Sequence, residues 1–326
     1  MAKDSIFEIS GIRFIAMLMI VVCHFMQFYG NDLAYWFNVG VQIFLIISGF
    51  LYGNKEFKLD PVEWLTIRFS KILVPYWMLL FLYICLSSLV SVELQFVEIC
   101  KSLFGFGNLP GLNHLWFIPN ILFCYVITPY VKSIIVRSNG SFFTFGVFLF
   151  IYIIVSSIVN LYFRHDFISC YILGLFIGFH WYKSKKKDIF IRNISFCFIF
   201  LALITNLIRI YFPLVGYINH SIFTVYANYC HLLLGLAFFC ISFMLFRSIN
   251  FKFNIFKISD RYSYYIYLTH HIFILSPLSL MSLTNNCIFN ILIVLMLSVI
   301  SSVIIKKLSE LIETNCFCRK NANIEK

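Results

Sequence analysis

The chain is organised in apolar blocks separated by short polar segments. A helix that crosses a bilayer needs about 20 mostly apolar residues. Ten blocks come close to or exceed that length: Gly11–Tyr29, Trp36–Gly53, Ile72–Val92, His114–Val136, Phe142–Tyr162, Phe167–Tyr182, Ile191–Phe212, Ile222–Phe246, Tyr262–Leu280 and Ile288–Ile305. The pattern predicts an all-α, polytopic membrane protein with about ten transmembrane helices, forming one membrane-embedded domain over residues 1–326. Pro119 and Pro129 predict kinks in the fourth span. Residues 61–71 (PVEWLTIRFSK) are amphipathic and are expected along the inner membrane surface. The longest connection, Glu93 to Asn113, is expected to fold back toward the membrane. Neither an internal repeat nor an inverted-repeat pattern is visible.

Composition agrees with this reading. Hydrophobic residues make up 61% of the chain and charged residues 12%, with a mean hydropathy of +0.89. A soluble domain carries about 25% charged residues. That shortage excludes a soluble enzyme, a secreted disulfide scaffold and a disordered chain. The first apolar block lacks a small-residue cleavage motif and reads as a retained anchor. The 11 cysteines are odd in number and mostly sit in apolar runs, so no disulfide framework is expected. Cys316-x-Cys318 lacks further ligands nearby, and no metal is expected.

The net charge of +11 ordinarily points to an anionic partner. Here it sets topology instead. With the amino terminus in the cytoplasm and ten alternating spans, all but four of the 25 lysines and arginines fall on the inner side. Lys101 and Arg164 fall outside, while Arg13 and Arg209 sit at span ends. Both termini are therefore expected in the cytoplasm, and nucleic acid is not an expected partner. None of the 14 acidic residues lies deep inside a proposed span. That counts against an ion-coupled transporter, which often keeps buried carboxylates.

Ionisable groups within a bilayer default to functional candidates. Arg13 and His24 share the first span, eleven positions apart. At 100° per residue they lie on one helix face, about 16.5 Å apart along the axis. One reading is a snorkelling arginine and a histidine hydrogen-bonded within the bundle. The other is a general base at mid-depth above a cationic anchor, since histidine titrates near neutrality. Arg68 and Lys71 lie between spans two and three. They serve either as ordinary inner-side charge or as a phosphate clamp. Gln42, Asn120, His231, His270 and His271 fall at middle or outer depth, and His114, Trp116 and Asn120 cluster where span four begins. His231 reads as a satisfied core histidine. His270 and His271 point about 100° apart, so at most one is expected to face a central cavity. Ser48-Gly49 reads as helix packing.

Five segments occur in a telling order: GIRFIAMLMIVVCH with Arg13 and His24, NVGVQIFLIISGFL at 38–51, Arg68-x-x-Lys71 before ILVPYW, HLWFIPN at 114–120, and SYYIYLTHHIF at 263–273. Together they resemble the acyltransferase-3 family of integral membrane O-acyltransferases, across nearly the whole chain. Lys71 departs from the arginine commoner there, keeping the charge without the bidentate fork. The resemblance implies transfer of an acetyl group from cytoplasmic acetyl-CoA to a hydroxyl of a surface polysaccharide or its lipid-linked precursor. It implies His24 as the catalytic histidine and Arg13, Arg68 and Lys71 as acyl-CoA contacts. His114, Trp116, Asn120 and His270 become candidates for acceptor or transition-state contacts. The expected location is the bacterial cytoplasmic membrane, multi-pass, with the lipid bilayer and the glycan as partners. The alternative is a transporter or flippase of a lipid-linked glycan or small solute, and a third reading is a non-catalytic scaffold for glycan assembly.

Overall fold

The computed structural model describes residues 7–53, 60–159, 165–211, 220–248 and 254–321. Among the described residues it is helical throughout, with no strand. The helices are α1 (Phe7–Phe28), α2 (Ala34–Phe37), α3 (Gly40–Gly53), α4 (Pro61–Leu89), α5 (Phe96–Leu103), α6 (Phe117–Arg137), α7 (Phe142–Val159), α8 (His165–Lys183), α9 (Lys187–Tyr211), α10 (His220–Ser248), α11 (Asn254–Leu275) and α12 (Cys287–Asn321). A 3₁₀ turn, Asn113–Trp116, leads directly into α6.

Each of the ten expected spans coincides with a helix, but the count of ten is not reproduced. Among the described residues, seven helical segments are long and apolar enough to cross a membrane. The three outside that set are α7, α8 and α11. The described side chains of α7 end at Val155, so the stretch that counts there is the shorter Phe142–Val155. Polar residues dilute the ends of α8, which opens on His165-Asp166 and closes on His180 and Lys183. Asp260, Arg261 and several Tyr, Thr and His residues do the same to α11. By contrast, α9 and α12 expose large apolar side chains such as Phe196, Phe200, Leu203, Leu292 and Met296. That is the surface a lipid-facing helix needs, since hydrocarbon is its solvent.

Residues 61–71 form no separate surface helix. They are the first three turns of α4, which continues to Leu89. The start is well specified: Asp60 caps it by accepting from the Val62 N–H at 3.0 Å, Pro61 fills the first turn and Glu63 complements the dipole. Nothing breaks the helix before Pro75, so Arg68 and Lys71 ride on a membrane helix rather than a loop.

The chain divides into two compact units, each assembled from separated stretches. The first comprises 1–19, 38–57 and 123–257. Its centre is the pairing of α3 with α8, where backbones approach through glycines. A Cβ on Gly49 or Gly53 would meet the backbone of α8 at Tyr171 or Leu175, and one on Gly174 or Gly178 would meet that of α3 at Ile46 or Phe50. Each helix thus carries a small-xxx-small pair, the arrangement that lets membrane helices pack where no hydrophobic force separates protein from lipid. Glycine beside Ser48 therefore serves packing, as expected.

The second unit comprises 20–37, 58–122 and 258–326. Here α4 packs on α12. Phe25 and Phe28, at the end of α1, sit in an apolar cluster with Ile274, Met281 and Val294. The connection between α4 and α6 is folded back and pinned by its own backbone. Tyr76 Oη donates to the Ser102 carbonyl, Trp77 Nε1 to Leu103 O at 2.9 Å, and Tyr83 Oη to Pro110 O at 2.5 Å. Glu98 accepts from Lys101 Nζ at 2.7 Å and from the Asn108 N–H at 2.8 Å. The Lys101 ammonium and then that N–H hold its carboxyl below the usual carboxylate range.

Candidate functional site

Four histidines from three stretches of the second unit meet, with His24 in contact with the other three. Its ring lies 4.5 Å from that of His271, 5.1 Å from His270 and 6.4 Å from His114, centroid to centroid. His114 and His271 stack at 4.4 Å with their planes 15° apart. The expectation that at most one of His270 and His271 faces the centre is therefore wrong. Adjacent residues diverge by about 100° on a helix, but a ring seated in the wedge between them touches both. His24 occupies that wedge.

Backbone carbonyls fix three of the four tautomers, because a carbonyl accepts only from N–H. His271 Nδ1–H donates to Gly111 O at 2.5 Å, and His270 Nδ1–H to Ile266 O at 2.9 Å. His114 Nε2–H donates to Leu268 O at 3.2 Å, while its own carbonyl accepts from Tyr267 Oη. His24 Nδ1–H donates to the side-chain oxygen of Gln27 at 2.7 Å. Each ring then keeps one nitrogen with a bare lone pair: Nε2 in His24, His270 and His271, and Nδ1 in His114.

The folded-back connection reaches this cluster through Gly111. Its φ of +70° suits glycine, and a Cβ there would strike Ser276 just beyond α11. Asn120, one turn into α6, donates Nδ2–H to Trp116 O at 2.7 Å. Three buried acceptors, His114 Nδ1, His270 Nε2 and Asn120 Oδ1, have no hydrogen-bond donor among the described residues. Buried polar atoms normally find partners, so this unit is built with surplus acceptors. Among the described residues, no group of histidine, cysteine and acidic side chains has the arrangement of a metal site.

The other residues singled out in the sequence have simpler settings. Gln42 and His231 pair within the first unit. The Gln42 side-chain oxygen accepts from His231 Nδ1–H at 3.0 Å, and its amide donates to Asn38 O at 3.1 Å and Val39 O at 3.3 Å. His231 is thus the satisfied core histidine its isolation suggested. Arg13 is half-buried on the part of α1 that belongs to the first unit, whereas His24 lies on the part belonging to the second. Arg68 and Lys71 share one face of α4, and Lys71 acts electrostatically on Glu313 of α12. The side chains of Cys316 and Cys318 lie outside the described residues. One acid is buried although it lies outside the proposed spans. Asp166, a single residue ahead of the sixth expected span, is fully buried in the first turn of α8, within electrostatic range of Tyr152 and Tyr229.

Sequence reasoning missed Gln27. It also left His271 out of the site. The signal for Gln27 was available: three positions on from His24, it is a helical neighbour.

The sequence model of the acyltransferase-3 family, described as an acyltransferase domain, matches residues 6–307. Neither a curated protein nor a solved structure matches the chain.

Proposed function

The chain belongs to the acyltransferase-3 family, and from that premise we propose that this multi-pass membrane acyltransferase is an O-acetyltransferase of a bacterial cytoplasmic membrane. It moves an acetyl group from cytoplasmic acetyl-CoA to a hydroxyl of a surface polysaccharide or its lipid-linked precursor. The observation that carries this reading is the histidine cluster. His24 has its Nδ1–H committed to Gln27 and keeps a bare Nε2, the state a general base requires. Around it stand acceptors without donors, His114 Nδ1 and His270 Nε2, and the same unit holds a third in Asn120 Oδ1. A ligand rich in O–H donors, such as a sugar, matches that surplus.

In the proposed reaction His24 Nε2 takes the proton of the acceptor hydroxyl. The hydroxyl oxygen attacks the thioester carbonyl, the C–S bond breaks, and the imidazolium returns the proton to the CoA thiolate. Atoms and charge balance without a further reactant. Because His270 spends its N–H on Ile266 and His114 spends its own on Leu268, these rings serve the acceptor hydroxyls rather than an oxyanion. Arg68 and Lys71 are proposed to hold the CoA phosphates, with Arg68 offering the fork suited to phosphate. Trp116 is proposed to line the acceptor path.

The test is His24→Ala, with acetyl ester on the surface glycan and turnover of labelled acetyl-CoA both measured. Loss of both at normal protein level is expected. Full acetylation would overturn the role of His24. Movement of a glycan or solute without acetyl turnover would instead favour a transporter, for which the buried Asp166 is the natural starting point.

A further inference from the structure

The acyl-transfer reading asks His24 to present one particular nitrogen to its substrate. Nothing in the ring itself enforces that. The two neutral tautomers of imidazole are close in energy, and the partner of one nitrogen decides which carries the proton. In this unit the wrong choice is costly. The rings of His270 and His271 lie 5.1 and 4.5 Å from that of His24, and each keeps a bare Nε2. A His24 ring carrying its proton on Nε2 is drawn to those lone pairs, which ties up the atom that must receive a proton.

From this geometry we infer that Gln27 is a positioning residue for the acyl transfer: its side-chain oxygen holds the proton of His24 on Nδ1 and thereby keeps Nε2 free. The inference rests on the reading of His24 as the base. The contact is 2.7 Å and joins positions i and i+3 of α1, so one helix presents both groups without help from any other element. The length of the side chain matters, since asparagine would stop one methylene short. Its charge matters as well. Gln27 is exposed near the end of a membrane helix, where an ionised carboxylate is expensive. An amide supplies the acceptor oxygen without that cost. No salt bridge involving His24 is present among the described residues, so the orienting partner is neutral where soluble triads use an acid. His114, His270 and His271 are the other titratable groups facing the ring, and each is oriented by a backbone carbonyl. Gln27 is the side-chain counterpart of those three carbonyls.

The full-length protein in lipid bilayers, labelled with ¹⁵N-histidine, tests this directly. Solid-state NMR distinguishes protonated from bare ring nitrogens, and the His24 signals are those lost in His24→Ala. The wild type is expected to show Nδ1–H at His24. Gln27→Met, which keeps the length and removes the oxygen, is expected to give a mixture of tautomers. It should also lower kcat with labelled acetyl-CoA by about tenfold, one hydrogen bond's worth, with KM for acetyl-CoA unchanged. Gln27→Glu retains the oxygen and should restore the Nδ1–H tautomer. A wild-type His24 protonated on Nε2, or a tautomer unmoved by Gln27→Met, would overturn the inference. The tautomer readout needs no turnover, so an active His24→Ala protein would reject the base reading separately from the NMR result.

Discussion

Gly111 offers a sharp test of how the histidine cluster is held. It needs glycine for two reasons that can be separated. Its φ of +70° is left-handed, and a Cβ there would lie 2.5 Å from the Ser276 Cβ, with the Ser276 backbone closer still. Gly30, in the same unit, has a φ of +65° and nothing within 4 Å of a Cβ. Gly30→Ala therefore carries the backbone strain alone, about 1–2 kcal/mol. Gly111→Ala carries the same strain plus forced overpacking of about 1–3 kcal/mol, so about 2–5 kcal/mol in all. The crowding also shifts the carbonyl that holds His271 Nδ1–H, 2.5 Å away. Reversible unfolding of both variants in mixed micelles, titrated with a denaturing detergent, measures the gap. Acetyl-CoA turnover should fall for Gly111→Ala and stay near wild type for Gly30→Ala. Equal destabilisation of the two variants would refute the packing argument. A fully active Gly111→Ala would refute the link between this loop geometry and the site.

The glycine seam of the first unit makes a parallel prediction. Gly49→Ala drives a Cβ into the backbone of α8 at Tyr171 and should cost about 1–3 kcal/mol. Gly146→Ala meets nothing within 4 Å and should be neutral or favourable by up to about 1 kcal/mol; equal thermal midpoints for the two proteins would contradict the seam. Glu98 sets a pH window. Its carboxyl is held low by Lys101 and the Asn108 N–H, so its hold on the loop is complete above the ordinary carboxylate range and fades as pH falls through the depressed value. Hydrogen exchange at the Asn108 amide should therefore separate wild type from Glu98→Gln at neutral pH and converge in acid; a difference that persists in acid would count against it.

Much of this architecture is legible in the sequence because a bilayer leaves little choice. Long apolar blocks have to become helices, and the ten expected spans fall on helices in order. Among the described residues seven qualify by length and apolarity; α8 and α11 miss because they carry polar residues whose burial depends on tertiary partners. The continuity of α4 was obscured by reading residues 61–71 as an amphipathic surface segment, when Asp60 and Pro61 already mark one start for the whole helix. Within the site, helix arithmetic on α11 separated His270 from His271, because it places Cβ atoms and is silent about a third ring arriving between them. The tautomers of His271 and His114 were beyond reach for a similar reason. They depend on the Gly111 and Leu268 carbonyls, which lie 160 and 154 positions from the rings they fix. Gln27 and the Ile266 carbonyl, three and four positions from the rings they orient, were local enough to be found.

The loop that reaches the cluster is anchored through peptide carbonyls at Ser102, Leu103, Pro110 and Gly111, with all the donating side chains on α4 and α11. A carbonyl is common to every amino acid. The path of the loop is thus decoupled from many of its own side chains, while glycine is required at three points: Gly105 and Gly111 have positive φ, and a Cβ on Gly107 would strike Ser102 and the Glu98 carbonyl. Exposed side chains such as those of Leu103 and Phe104 are free to change without losing these anchors. A scaffold of this kind permits loop substitution while the histidine cluster it contacts stays in register.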